Sequence, residues 1–354
     1  MTGVSVQQSW KEALVPYARA RTDRAALQVA TSLLPYLLLS AAIYLTLGVS
    51  PLLTAVLVVP ASGFLIRTFV VFHDCTHGSL FPTRRANHYV GLILGLFVLA
   101  PFRQWQHEHA VHHATSGDLD RRGVGDVMTL TVAEYYAKSP SGRFAYRLFR
   151  NPVVMFGFGP IFAMIIGPRI PEYSARRRQR NSVLLTDFTL IATITLLCLA
   201  IGWRAFLVVW LPPAMVAGSV GIWLFYVQHQ FEGTYWRRAE EWGYAEAALT
   251  GSSRLKLPRV LQFFTASIGL HHIHHLNPRI PNYNLQRAHD SHPIFAEAPT
   301  ISMRDGARAI RLKLWDEQSG ELVTFAQARR AIDRPDVGGD ATPIRVATQG
   351  AMSP

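Results

Sequence analysis

The sequence predicts an all-α integral membrane protein, with four transmembrane helices in two hairpins and a cytosolic helical cap that holds a histidine-ligated di-metal site. Three observations predict it. Of 354 residues, 49% are hydrophobic and only 16% charged, too apolar a balance for an ordinary soluble domain of this size. The apolar residues gather into four runs long enough to cross a bilayer. The 14 histidines, by contrast, crowd into a few short motifs.

Residues 1–28 are polar and mixed in charge, a cytosolic lead-in expected to be partly helical. They lack the short apolar core and cleavage site of a removable signal peptide. The first apolar run is Val29 to Gly48, which at 1.5 Å per residue can cross a hydrocarbon core of ~30 Å. Only Val49, Ser50 and Pro51 separate it from the second run, Leu52 to Phe72, whose one charge is Arg67. So short a link makes a hairpin that crosses and returns. The second hairpin consists of Val183 to Ile201, a Gly202-Trp203-Arg204 link, and Ala205 to about Tyr226. The expected spans are therefore about 29–48, 52–72, 183–201 and 205–226, with the cap made from 73–182 and 227–332.

Orientation follows from charge. Lys11, Arg19, Arg21 and Arg24 precede the first span, and segment 73–182 is rich in arginine, whereas the first hairpin link carries no charge. Positive-inside logic places both termini and the cap in the cytosol. The formal charge of +12 fits that topology and attraction to anionic headgroups. It would also suit docking of an acidic redox partner. No nucleic-acid motif accompanies it, so nucleic-acid binding is not expected. The two cysteines, Cys75 and Cys198, make no disulfide framework. Tyr89 to Phe102 has the length of a re-entrant or interfacial element. Pro152 to Ile170, interrupted by Gly157, Gly159 and Pro160, is expected to lie along the membrane surface. The tail 333–354, polar and rich in Gly and Pro, is expected to be disordered.

Three histidine motifs stand out: HDCTH (His73 to His77), HAVHH (His109 to His113) and HHIHH (His271 to His275). On a helix, residues at i, i+3 and i+4 share one face. An HxxxH pair can aim two imidazoles at one point, and an HxxHH triplet can aim three, enough to serve two adjacent metals. His73, His77, His109, His112, His113, His271, His274 and His275, with His229 after the fourth run, supply nine nitrogens, the sum expected of a dinuclear first-row transition-metal site. Helical geometry turns His272 away from the other three histidines of its motif. His88, His107, His289 and His292 read as ordinary surface or core residues.

Four stretches, HDCTHGS (73–79), WQHEHAVHH (105–113), YVQHQFE (226–232) and GLHHIHHLNPRIPNYN (269–284), resemble the membrane fatty acid desaturase family, especially its bacterial acyl-lipid delta-12-like branch. The resemblance covers about residues 60–325. It implies two iron ions held by the nine histidines, with His229 as the additional ligand after the last span. It further implies an oxygen-dependent enzyme that inserts a cis double bond into an acyl-lipid or other fatty acyl chain in a bacterial inner membrane. No flavin, haem or nicotinamide motif is visible, so an external donor is expected, a ferredoxin with its reductase. Ligating histidines usually donate their other N–H to a carboxylate, carbonyl or water, which makes Asp74, Glu108, Asp118, Glu232 and Asp290 candidate partners. Arg67 is expected to snorkel to the interface or to pair with a site carboxylate. Trp105, Phe225, Tyr226 and Trp236 could wall an acyl tunnel, and Asn282, Tyr283 and Asn284 could line its entrance. Two other readings stand: a membrane di-iron hydroxylase of carotenoid, alkane or lipid, and a non-enzymatic histidine-rich metal or haem protein.

Overall fold

The computed structural model describes residues 10–171 and 175–332. The tail 333–354 lies outside them. Among the described residues, four helices are long and apolar enough to cross a membrane: α1 (Thr22–Thr46), α2 (Pro51–His77), α5 (Arg177–Ile201) and α6 (Trp203–His229). Less than half of the apolar stretch of each is buried inside the protein. Leu34, Leu38, Leu45, Val56, Phe188, Ile191 and Leu199 all face outward. Apolar surface on that scale needs a hydrocarbon solvent.

Each hairpin turns where the sequence stops being apolar. Ser50 caps α2 by accepting from Leu53 N at 3.3 Å, and Pro51 stands at its first position, where a missing N–H costs nothing. Gly202, at φ +82°, lets the chain reverse between α5 and α6. Within the spans, several hydroxyls bond to their own helix. The hydroxyls of Ser32, Ser40, Ser62 and Thr68 each donate to the carbonyl four residues earlier, as an apolar surrounding demands.

Helices α2 and α6 pack together at the centre, and the main hydrophobic cluster forms on them from Leu65, Val71, Phe72, Leu224 and Val227. Both run past the ends of their apolar stretches. Helix α2 continues beyond Phe72 through His77, and α6 continues beyond Tyr226 to His229. The first histidine pair and the lone His229 therefore belong to the last turns of the central helices.

The stretch around Tyr89 to Phe102 forms two helices, α3 (Arg84–Phe97) and α4 (Phe102–Thr115), which meet at a bend of 99°. Leu99, at φ +57°, and a bond from Ala100 N to Gly95 O (2.8 Å) make the corner. Gly91 allows it: a Cβ there would run into the Phe102 ring and Cys75 Cβ. Gly157, Gly159 and Pro160 do not interrupt the 152–170 stretch. Two widened, π-type helical segments, Val153–Phe158 and Ile161–Ile166, carry the helix through them, with Pro160 at φ −57°. Widened turns remove the clash that a proline would make with the preceding turn.

The cap also contains short strands that the histidine spacing did not announce. Leu130–Thr131 pairs parallel with Leu314–Asp316, which pairs antiparallel with Glu321–Val323. Arg254–Leu255 pairs parallel with Thr300–Ile301. The third histidine motif forms the short helix α7 (His271–Leu276), entered through Ala266 and Ser267 at positive φ.

Candidate metal centre

Four helices bring nine imidazoles together. His73 and His77 come from the end of α2, His109, His112 and His113 from α4, His229 from the last residue of α6, and His271, His274 and His275 from α7. All but the partly buried His77 are buried. They divide into two groups: His73, His77, His109, His113 and His274 in one, and His112, His229, His271 and His275 in the other. Within each group one nitrogen per ring lies within 4.8 Å of all the others. The groups adjoin, since the His113 and His275 rings stack at 4.2 Å and the His271 and His274 rings lie 5.4 Å apart. The i, i+3 and i+4 positions of the two triplets are thus shared between the groups, as one helix face serving two points requires.

The donor chemistry fits a metal in each group. Nε2 atoms face one another at 2.9 Å (His73 and His109), 3.1 Å (His109 and His113), 3.2 Å (His112 and His229) and 2.9 Å (His229 and His271). His77 Nε2, both nitrogens of His274, and His275 Nε2 are buried without a hydrogen-bond partner. Burial, reinforced by the neighbouring histidines, holds His271, His274 and His275 well below the usual 6.5, so their lone pairs stay free at neutral pH. Converging neutral imidazoles with unpartnered nitrogens match the ligand preference of divalent transition metals.

The outer nitrogens are tied down. His73 Nδ1 lies 3.2 Å from Asp74 Oδ1, and Asp74 Oδ2 accepts from Asn282 N at 2.7 Å. His112 Nδ1 meets Asp126 Oδ1. His229 Nδ1 lies 3.2 Å from both Gly251 O and Ser116 Oγ. Such contacts fix the ring and aim Nε2 inward. Asp126 was not among the sequence candidates. It reaches His112 from a loop containing Gly123 and Gly125, both at positive φ. A Cβ on Gly125 would stand 3.0 Å from Glu108 O and from His112 Cβ. The glycines between HAVHH and Asp126 were the available signal.

The other candidates fall out differently. Asp118 binds Arg121 Nε (2.6 Å) and the Asp120 N–H (2.8 Å). Asp290 accepts from Gln286, and Glu232 is exposed. Arg67 is buried, not snorkelling to an interface, and pairs with no acid among the described residues. It donates to Phe263 O and Gln28 Oε1 and lies over the Phe263 ring. Trp105 stacks on His109 at 4.3 Å, and Phe225 packs on His112 and His229. Tyr226 points away, donating to Leu312 O, and Trp236 packs in the cap with Leu119 and Trp315. Tyr283 Oη accepts from Arg21 N and donates to Leu80 O, while Asn284 donates to Tyr17 O, so this turn ties down the N-terminal segment. His272 is buried against His289 (3.0 Å), away from both groups.

Residues 10–305 match the family described as fatty acid desaturase. A fatty acid desaturase of Bacillus subtilis is 44% identical over 319 residues, which is 90% of this chain and 91% of that one. The sn-1 oleoyl-lipid 12-desaturase of Synechocystis is 30% identical over 230 residues, 64% of each chain. The sn-1 acyl-lipid omega-3 desaturase (ferredoxin) of the same organism is 28% identical over 247 residues, 65% of this chain and 64% of that one.

Proposed function

The chain belongs to the fatty acid desaturase family, oxidoreductases of lipid metabolism, and from that premise we propose that it inserts a cis double bond into the acyl chain of a membrane lipid, using two iron ions held by the nine histidines. The observation that carries the proposal is the gathering of nine imidazoles into two adjacent groups at the ends of two membrane helices. In this reading His73, His77, His109, His113 and His274 bind one ion, and His112, His229, His271 and His275 the other. The ions, when bound, supply the oxygen activation needed to remove hydrogen from unactivated carbon. Overall, one CH2–CH2 unit, one dioxygen, two electrons and two protons become one CH=CH unit and two waters.

The chain's own residues do the holding and the exclusion. Asp74, Asp126, Ser116 and the Gly251 carbonyl orient the rings. Trp105 and Phe225 cover the histidines with apolar surface and keep water from them. The acyl carrier is read as a lipid because two similar proteins carry acyl-lipid names. The donor is read as a ferredoxin with its reductase, supported by the name of one of them and by the chain's net charge of +12. Positive-inside logic puts the site and both termini at the cytosolic face of a bacterial inner membrane.

Fatty acid profiling of a desaturase-free bacterial host expressing the chain tests this reading, with His112→Ala as control. New unsaturated species should appear with the parent chain and vanish with the variant. Hydroxylated lipid without new double bonds would refute desaturation. Turnover of the purified protein with NADPH alone would refute the ferredoxin requirement.

A further inference from the structure

Arg150 follows the helix Pro140–Phe149, far in sequence from every histidine, and is completely buried. Its guanidinium reaches six neutral oxygens. Nη1 donates to Met128 O (2.8 Å), Thr129 Oγ1 (3.2 Å) and Tyr146 Oη (3.3 Å). Nη2 donates to Tyr226 Oη, Gln230 Oε1 and Leu312 O, each at 3.2 Å. Lys313 Nζ in turn donates to Arg150 O at 2.7 Å. A charge buried that deeply depends on its hydrogen bonds: Nη1 and Nη2 find all the acceptors and Nε has none, so the oxygens around the two terminal nitrogens are held in place with the cation.

Four of those six oxygens lie on the two segments that steer one half of the metal centre. Met128 and Thr129 follow Asp126, whose carboxylate meets His112 Nδ1. Tyr226 stands one turn before His229 on α6, and Gln230 immediately follows it. His112 and His229 belong to the same four-histidine group, their Nε2 atoms 3.2 Å apart. The five-histidine group is steadied elsewhere, by Asp74 with Asn282 and by Trp105. We infer that Arg150 is a positioning residue that acts through Asp126 and His229 to hold the four-histidine metal position, and not the five-histidine one.

The inference rests on the two-ion reading, and the test separates the two. Purified full-length parent, Arg150→Met and His112→Ala would be loaded with ferrous iron. Iron per chain would be measured, then iron release to a graded chelator. The parent should hold two ions. Arg150→Met should lose one of them, matching His112→Ala, and keep the other at parental affinity. A role in folding alone would weaken both ions together, so that result overturns the inference, as does a variant that keeps both at parental affinity. A parent that never holds two ions overturns the two-ion reading itself and the inference with it. Should Arg150→Met not accumulate, the double variant Tyr226→Phe with Gln230→Met removes two of the six acceptors and decides. It should weaken the ion that His112→Ala loses about tenfold, the lower end of the effect of partners one step behind a ligand, and unchanged release would overturn the inference.

Discussion

Replacing Asp126 should loosen iron without removing any ligand. The Asp126 side chain is 8% exposed and that of His112 fully buried. In Asp126→Ala the buried His112 Nδ1–H would lose its carboxylate acceptor. An unsatisfied buried donor costs about 1–3 kcal/mol. Lost partners of ligating histidines weaken metal binding about 10–100-fold, or ~1.4–2.8 kcal/mol. The two routes agree, so Asp126→Ala should sit near the upper end, about 100-fold. Asp126→Asn keeps an accepting oxygen but loses its charge, and a charge-assisted bond is roughly twice as strong as a neutral one, so about tenfold is expected. The assay is chelator competition on purified protein, reading iron release rather than turnover. Asp290→Asn is the control, because Asp290 is exposed and bonded to Gln286. Parental iron affinity in Asp126→Ala, or equal damage in Asp290→Asn, would refute the reasoning.

Three further outcomes follow from the same contacts. His272→Gln should keep both ions, because His272 faces His289, while thermal inactivation reports a loss of about 1–3 kcal/mol from the disrupted buried pair; loss of an ion would show that His272 faces the centre. Gly125→Ala should cost about 1–2 kcal/mol for a side chain at φ +68°, and should weaken iron as well by pushing Asp126 off His112; an unchanged inactivation midpoint would contradict this. Burial, with the Arg150 charge beside it, pushes Lys313 down from 10.5 to about 8. Between those values the unfolded chain keeps the proton that the folded chain has released, so this group makes stability rise with pH across that window. Inactivation midpoints of the parent should therefore gain on those of Lys313→Met from pH 8 to 10, and parallel curves would refute it.

The parts of the centre that were legible in the sequence are those encoded by helical period. HxxxH and HxxHH name their own geometry, because a helix places i, i+3 and i+4 on one face whatever surrounds it. The same period separated His272 from His271, His274 and His275. His229 had no spacing of its own to mark it, and a resemblance singled it out before its place on α6 did. The apolar runs were legible for a related reason: a bilayer imposes one length on every span. Apolarity, however, marks where hydrocarbon ends, not where a helix ends. Helices α2 and α6 run on to His77 and His229 because polar residues continue a helix as readily as apolar ones.

Asp126, Arg67 and Arg150 were not legible, and the cause is common to all three. Each acts through a contact between segments distant in sequence or across a loop, where no period relates the partners. Asp118, five residues after His113, looked like the better partner for a ligand than Asp126, thirteen residues after it. Yet the Gly117 to Gly125 loop turns back on itself and lays Asp126 against α4, while Asp118 is taken up by Arg121. Arg150 extends the point. A lone arginine in a basic segment reads as one more positive-inside charge, but full burial against six neutral oxygens makes that role impossible. The charge has to be accounted for by what it holds, and what it holds are the segments behind His112 and His229.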